Sequence, residues 1–442
     1  MNSIAAPNRT DGGAFTGPDA RIDLVRLLLA AAVIAALVIT FTPFTVTFNG
    51  NTDNGNVINQ LGYSGLAAIV LAGHVLFTDR FVLMSLMRPT WMLMLGWLTA
   101  SALWAPDPEN AFRSGLFTVL AMVSVSGFLC FPRNPRHFRI ALTIGVLAAV
   151  LLCYFGVIAL PGLAIDDGSD EGGAHLGMWR GIYSHKNIAG AVMGAFFFCG
   201  VYLWRCGDRM MGLAVAALTA VFVLKTGSKT STLLLPIVAI MIVFLRLIAG
   251  RRLLAIGIAA MLVVMGLLTV GTVLSPALND ILQAIVPGTT FTGRMDLWRF
   301  ALEVFRGHEW TGFGLNSFWQ TPVVGGTEKN FELSWDPRGS PNAHNGYLDL
   351  AISLGWPGLG FALLVLVVMP LLDYQKVGRD DESRRLGDLF LMILTYLLLG
   401  SFLETFLFER ANPIWMLVWM SVAGLRLLAA NNVRGAAAPA PD

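Results

Sequence analysis

Two side chains bracket the stretch from Thr292 to Asn345, the longest polar interval between apolar runs, most of it in the large loop 276–343. Thr292-Gly293-Arg294-Met295-Asp296-Leu297-Trp298-Arg299 opens it, and Ser340-Pro341-Asn342-Ala343-His344-Asn345 closes it. A fixed cation beside an imidazole suits a reaction in which negative charge grows on a leaving group while a hydroxyl loses its proton. The cation stabilises the developing charge. The imidazole, which ordinarily titrates near neutrality, takes the proton. Arg294 and His344 are therefore the candidate catalytic pair. His185 is the reserve base, and Asp296, Glu303 and Asp349 are alternatives. Taken alone, a histidine at such a junction is more often a plain hydrogen-bonded residue.

Further cations stand at the edges of apolar runs. The segment 164–186 is acidic at first (Asp166, Asp167, Asp170, Glu171) and ends in Arg180-Gly181-Ile182-Tyr183-Ser184-His185-Lys186-Asn187. It abuts the start of an apolar run, where a helix N-terminus offers N–H groups and a positive dipole end to an anion. An interfacial anchor is the equal alternative. Lys225-Thr226-Gly227-Ser228-Lys229-Thr230-Ser231 puts two lysines in one short turn. They either snorkel to the interface or face an anion, and the hydroxyls beside Lys229 favour the anion. The Asn/Gly-rich stretch 44–60 reads first as a solvated connector whose amides suit turns, and second as a contact for sugar hydroxyls.

The elements that position these residues are membrane helices. The 442 residues are 55% hydrophobic and 13% charged, where a soluble domain carries about 25% charged residues. Mean hydropathy is +0.67. Twelve apolar runs are long enough to be spanning helices: 22–43, 61–78, 89–105, 113–131, 139–163, 187–206, 209–226, 231–248, 253–275, 356–373, 386–407 and 413–430. The expected fold is thus all-α and polytopic, with one large outer loop before helix ten. Residues 1–20 and 431–442 are expected to be loose tails around a membrane domain at 21–430. With the N-terminus inside, nineteen of the thirty Lys and Arg fall on inner segments. That bias places both termini in the cytoplasm and leaves Arg180, Lys186, Lys225, Lys229 and Arg294 outside.

From Arg294 the apolar spacing predicts an amphipathic helix, with Arg299 and Glu303 as a surface pair. A short amphipathic piece is expected at Asp280–Ile285. Asn345 is expected to cap a short helix ending at Gly355-Trp356-Pro357-Gly358. Trp319 and Trp335 suit sugar stacking or a membrane interface equally. The four cysteines lie in or beside apolar runs without metal or disulfide spacing, and read as packing residues. No Asp-x-Asp pair occurs, so no metal or other cofactor is expected. A net charge of +2 gives no reason to expect a nucleic-acid partner.

Arg180-Gly181 with His185-Lys186-Asn187 and Gly190, Ser228-Lys229, Thr292-Gly293-Arg294 with Leu297-Trp298, Gly312-Phe313-Gly314, and His344-Asn345-Gly346-Tyr347-Leu348 with Gly355 and Gly358 occur in this order. In that order the chain resembles the O-antigen ligase/polymerase superfamily of bacterial envelopes, particularly its exopolysaccharide-polymerase branch. The resemblance implies a multi-pass inner-membrane enzyme that moves a glycan from a polyprenyl-diphosphate carrier to a glycan or lipid-linked acceptor at the periplasmic face. It implies roles for Arg294 and His344 in catalysis. Lys229 stands where the family has arginine, which keeps the charge and loses the bidentate fork. Lys229, Arg180, Lys225, His185 and Lys186 are assigned to the diphosphate, and Trp298, Asn345 and Tyr347 to substrate. Direct attack implies inversion at the anomeric carbon. Envelope polysaccharide export proteins are the implied protein partners.

A ligase joining finished glycan to lipid A–core or to a protein is the alternative enzyme. A flippase for lipid-linked sugars is the alternative of another class. For the latter, His74 and Glu404 are the clearest ionisable residues inside apolar runs, the places where transporters keep working charges.

Overall fold

In a computed structural model, the described residues are 18–45, 56–168, 173, 175–327 and 336–431, with backbone alone at 18–19 and 243–249. Most of both tails, most of the Asn/Gly-rich stretch, Asp170, Glu171 and Trp335 lie outside them. The helices that matter here are α1 (Pro18–Ile39), α2 (Val57–Phe77), α3 (Arg80–Leu86), α4 (Pro89–Ala100), α5 (Pro108–Cys130), α6 (Pro135–Ala159) and α7 (Lys186–Arg205). They continue as α8 (Arg209–Lys225), α9 (Lys229–Leu268), α10 (Pro276–Ile285), α11 (Arg294–Phe305), α12 (Gly346–Lys376), α13 (Asp381–Gly400) and α14 (Pro413–Ala430). The expected tail is shorter than 1–20, because α1 already begins at Pro18.

Local chemistry explains the boundaries. Pro89, Pro108, Pro135, Pro276 and Pro413 stand at helix starts, where a missing N–H costs nothing. Asp107, Asn134, Asp380 and Asn412 accept hydrogen bonds from the exposed N–H groups of the first turns they precede, as capping requires.

Among the described residues eight helices are long and apolar enough to cross a membrane. They become nine if the α3–α4 pair, bent by 58°, is one broken span. The three other apolar runs are helical too. Run 209–226 forms α8, of 17 residues. Run 231–248 forms the first limb of α9, which breaks at Gly250. Run 386–407 forms α13, whose first turn carries Asp381 and Glu382. The protein is an all-α polytopic membrane protein.

The most buried helices carry the site. The apolar window is 78% buried within the molecule in α14 and 72% in α7, against 17% in the second limb of α9. Helices α7 and α8 pack through Gly200 and Gly212. A Cβ on Gly200 would lie 2.6 Å from the backbone N of Ala216, the close approach that small residues permit between membrane helices.

Charge divides the bundle into two ends. At one end Arg133 pairs with Asp23, Arg139 with Glu382, Arg205 with Asp388, and Arg88 with Asp373. These pairs link the N-terminal ends of α1, α4, α6 and α13 and the C-terminal ends of α7 and α12. The starts of α7 and α9 and the corner after α13 form the other end.

The helix α12 shows why its glycines are there. At Gly355 the backbone turns left-handed, with φ 70°, and the break disrupts the local helical ladder. The Gly312-Phe313-Gly314 segment engages it: Phe313 N donates to Ile352 O at 2.9 Å and Gly314 N to Ser353 O at 2.8 Å, while Trp356 N donates to Glu309 O at 2.7 Å. A Cβ on Gly355 would sit 2.6 Å from the Trp310 backbone. Gly355→Ala is therefore expected to cost at least the roughly 1–3 kcal/mol of a strained backbone, read as a lowered unfolding temperature in detergent. An unchanged Tm would count against this reading of the break.

Candidate functional site

The site is built on the corner between α13 and α14. Ser401 through Glu404 turn out of α13, and the Glu404 side chain, 11% exposed, lies at the centre. Arg294, the first residue of α11, donates from Nη2 to Glu404 Oε1 at 2.8 Å and from Nη1 to Leu403 O. His344 Nδ1 meets Glu404 Oε2 at 3.4 Å. Asn187, in the first turn of α7, donates from Nδ2 to Glu404 Oε1 at 2.7 Å. Burial raises the Glu404 carboxyl, but the hydrogen bond with His344 and the charges of Arg294, His344 and His185 outweigh it and hold it at about 2. The group is a carboxylate throughout the physiological range.

The two flanking chains are held in strained backbone. His344 has φ 50°, and Phe291, Thr292 and Gly293 ahead of Arg294 are all left-handed. Such conformations persist in non-glycine residues where the surroundings over-determine them. Around His344 those surroundings can be named. Its own N–H donates to Asn342 Oδ1 at 2.9 Å. Ala343 N donates to the Asp349 carboxylate at 3.1 Å, and Trp298 Nε1 donates to Ala343 O at 2.8 Å. Asn345 caps α12 through the N–H groups of Tyr347 and Leu348 and donates to Phe402 O at 2.8 Å. Trp319 donates to Asp349 at 2.6 Å, and Thr405 does so as well.

The basic segments converge on the same end. His185 caps α7, its Nδ1 accepting from Asn187 N at 3.2 Å. One turn on, Gly190 lies against the start of α9: a Cβ there would be 2.9 Å from Ser231 Oγ and 3.0 Å from Ser228 Cβ. Two helix N-termini thus stand side by side, α7 beginning at Lys186 and α9 at Lys229. Trp179 N donates to Lys225 O at 3.0 Å, which ties the Arg180–His185 segment to the Lys225–Lys229 turn.

The candidates therefore fall into three groups. Arg294 and His344, fifty residues apart in sequence, share Glu404, and His185 and Asn187 adjoin it, while Lys186 is buried with its Nζ 3.0 Å from Met178 Sδ. Lys229 and Lys225 are exposed on the neighbouring turn, with Lys225 6.0 Å from the Trp179 ring centroid. Arg180 is buried and donates from Nε to Leu163 O at 3.2 Å. The third group packs beneath the site. Trp298 and Asn345 are fully buried, and Tyr347 donates its hydroxyl to Leu398 O at 3.0 Å and stacks on Phe402. Trp298, Asn345 and Tyr347, expected to touch substrate, instead have their polar atoms engaged by the protein and hold the His344 segment in place.

One smaller expectation is corrected. Arg299 pairs with Asp296 at 3.0 Å rather than with Glu303, because i+3 places that carboxylate equally near. Asp349, an alternative base, has its carboxylate engaged by Ala343, Trp319 and Thr405. His74 is held between Thr78 and Ser126 at 2.9 and 2.7 Å.

Glu404 is the residue that sequence reading placed elsewhere. Its signal was visible, an acid inside an apolar run, but its partners lie 60 and 110 residues away. Among the described residues no three His, Cys, Asp or Glu side chains gather as a metal-ligand set. The positive charge at this end comes from the side chains and two helix N-termini.

No curated protein matches the chain significantly. Residues 214–365 match the family model described as O-Antigen ligase. The matched segment holds the Lys225–Lys229 turn, Arg294 and His344, and stops short of Glu404. Over these residues, about a third of the chain, the protein is similar to the O-antigen ligase family.

Proposed function

We propose that the protein transfers a glycan from a polyprenyl-diphosphate carrier to a glycan acceptor at the outer face of the bacterial inner membrane, polymerising repeat units of an envelope polysaccharide. The observation that carries this reading is the single carboxylate, Glu404, that joins Arg294 to His344 beside two helix N-termini. The acceptor hydroxyl attacks the anomeric carbon as the bond from that carbon to the diphosphate oxygen breaks. His344 takes the hydroxyl proton on Nε2, opposite the nitrogen that meets Glu404, and Glu404 stabilises the imidazolium that forms. The electron pair leaves with the diphosphate, whose growing charge is met by Lys186, Lys229, Lys225 and the N-termini of α7 and α9. Arg294 adds its positive field and holds Glu404 in place. Attack from the face opposite the leaving group inverts the anomeric carbon.

The positive-inside bias supports placing both termini in the cytoplasm and the Glu404 end in the periplasm. The branch-like His185-Lys186-Asn187 and Ser228-Lys229-Thr230 favour polymerase over ligase. Deletion separates the two: single lipid-linked units accumulate without a polymerase, and long unligated chains without a ligase.

The direct test is Arg294→Ala in the purified protein, supplied with a lipid-diphosphate-linked glycan donor. A loss of roughly 10²–10³ in turnover is expected, as for removal of one preorganised donor. Arg294→Lys should recover part of it. Near-normal transfer by Arg294→Ala would end the proposal.

A further inference from the structure

At the opposite end of the bundle, Trp204, Arg205, Arg209, Asp381, Arg384 and Arg385 line an open cleft of about 400 Å³. Helices α7 and α13 both run from this cleft to the Glu404 corner, each over 20 residues, so the two places are about 30 Å apart. Four guanidinium groups from the end of α7, the start of α8 and the start of α13 converge here against one lining carboxylate. Arg205 is fixed from below by Asp388 at 2.8 Å, and Asp388 also accepts from the Tyr374 hydroxyl at 2.8 Å. Arg384 pairs with Asp381. Among the described residues neither Arg209 nor Arg385 has an ion-pair partner, so the cleft keeps an excess of positive charge.

The positive-inside bias calls for arginines near this surface, but not for their convergence. Arg136 and Arg252 satisfy it while exposed. Asp388 and Asp381 meet two of the four charges; holding the other two beside them around one concavity is unfavourable unless a further anion offsets the repulsion. Trp204, 55% exposed on the last turn of α7, stands at the lip, and indoles of this kind settle at the headgroup level of a bilayer. Guanidinium forks match the paired oxygens of a phosphate group.

We propose that this cleft is a phosphate-binding site that takes the headgroup of an anionic phospholipid, distinct from the site around Glu404. The shared chemistry also admits a soluble phosphate, so the test has two arms. In the first, the full chain is exchanged from phosphatidylcholine into phosphatidylglycerol micelles, and retained lipid is counted by native mass spectrometry. In the second, unfolding in lipid-free detergent is followed with added inorganic pyrophosphate.

Wild-type protein is expected to retain phosphatidylglycerol over phosphatidylcholine. Arg209→Gln with Arg385→Gln should weaken that retention by at least about tenfold, while Arg136→Gln with Arg252→Gln leaves it intact. Arg209→Gln alone, at an exposed position, serves if the double variant fails to fold. Protection by pyrophosphate that the cleft variant loses, with lipid retention unchanged, keeps the phosphate site and overturns the lipid as its source. Equal losses in both double variants, or no loss in the cleft variant in either arm, overturns the site itself.

Discussion

His344→Gly is expected to lower glycan transfer by about 10²–10⁴-fold, the usual contribution of a positioned acid–base group, without destabilising the protein. The two halves of this prediction come from different physics. His344 holds a left-handed backbone at φ 50°, which costs a side-chain-bearing residue roughly 1–2 kcal/mol and glycine almost nothing. Glycine therefore relieves strain while removing the imidazole and its contact with Glu404. His344→Ala removes the imidazole and keeps the strain, so it should be as inactive and less stable than the glycine variant. The readouts are turnover with a lipid-diphosphate-linked donor and the unfolding midpoint in detergent. Added imidazole should restore part of the turnover of His344→Gly. A purely structural histidine would give the reverse pattern, with activity tracking stability across the two variants. Full activity in His344→Gly would remove the base from the mechanism and leave the cation in place.

Glu404→Ala is expected to be the most destabilising single change at this corner. Arg294 and Glu404 are only 16% and 11% exposed at their side chains, and Arg294 Nε is buried without an acceptor. Removing the carboxylate strands a largely buried guanidinium, a situation that costs about 3–5 kcal/mol. Arg294→Ala with Glu404→Ala should then cost less than the two single changes added together, since the stranded charge is gone. Glu404→Gln keeps the shape and removes the charge, which exposes the pH dependence. Because the folded-state carboxyl is held at about 2 against an ordinary 4.5, its stabilising contribution is complete above pH 4.5. That contribution is lost as the pH falls from 4.5 toward 2. The gap in Tm between wild type and Glu404→Gln should accordingly be constant from pH 8 to about pH 5 and narrow below it. A gap that widens on acidification would reverse the sign and refute the assigned cause.

The fold and the site were unequally legible. All twelve apolar runs fall on helices, and the cap at Asn345, the helix beginning at Arg294 and the break at Gly355 stand where local spacing put them. The count of helices able to cross a membrane came out lower, at eight or nine. Hydropathy marks an apolar run without recording a bend such as that between α3 and α4, or a charged first turn such as that of α13. Trp298, Asn345 and Tyr347 were ambiguous for a related reason. An indole, an amide and a phenol suit a sugar, and they suit a buried carbonyl equally well. Only the packing of Ala343, Phe402 and Leu398 around them separates the two uses.

By itself the sequence determined a bundle of membrane helices and the ends at which its cations gather, and it offered Arg294 and His344 as candidates. These are local properties, set by apolar period, capping chemistry and charge within a few residues. Tertiary structure alone decided that Glu404 is the group both residues address and that the starts of α7 and α9 stand side by side through Gly190. It also decided that four arginines at the far end close on a single cleft. Each of these depends on which helices lie beside one another, and that is settled by side-chain packing between segments far apart in the chain.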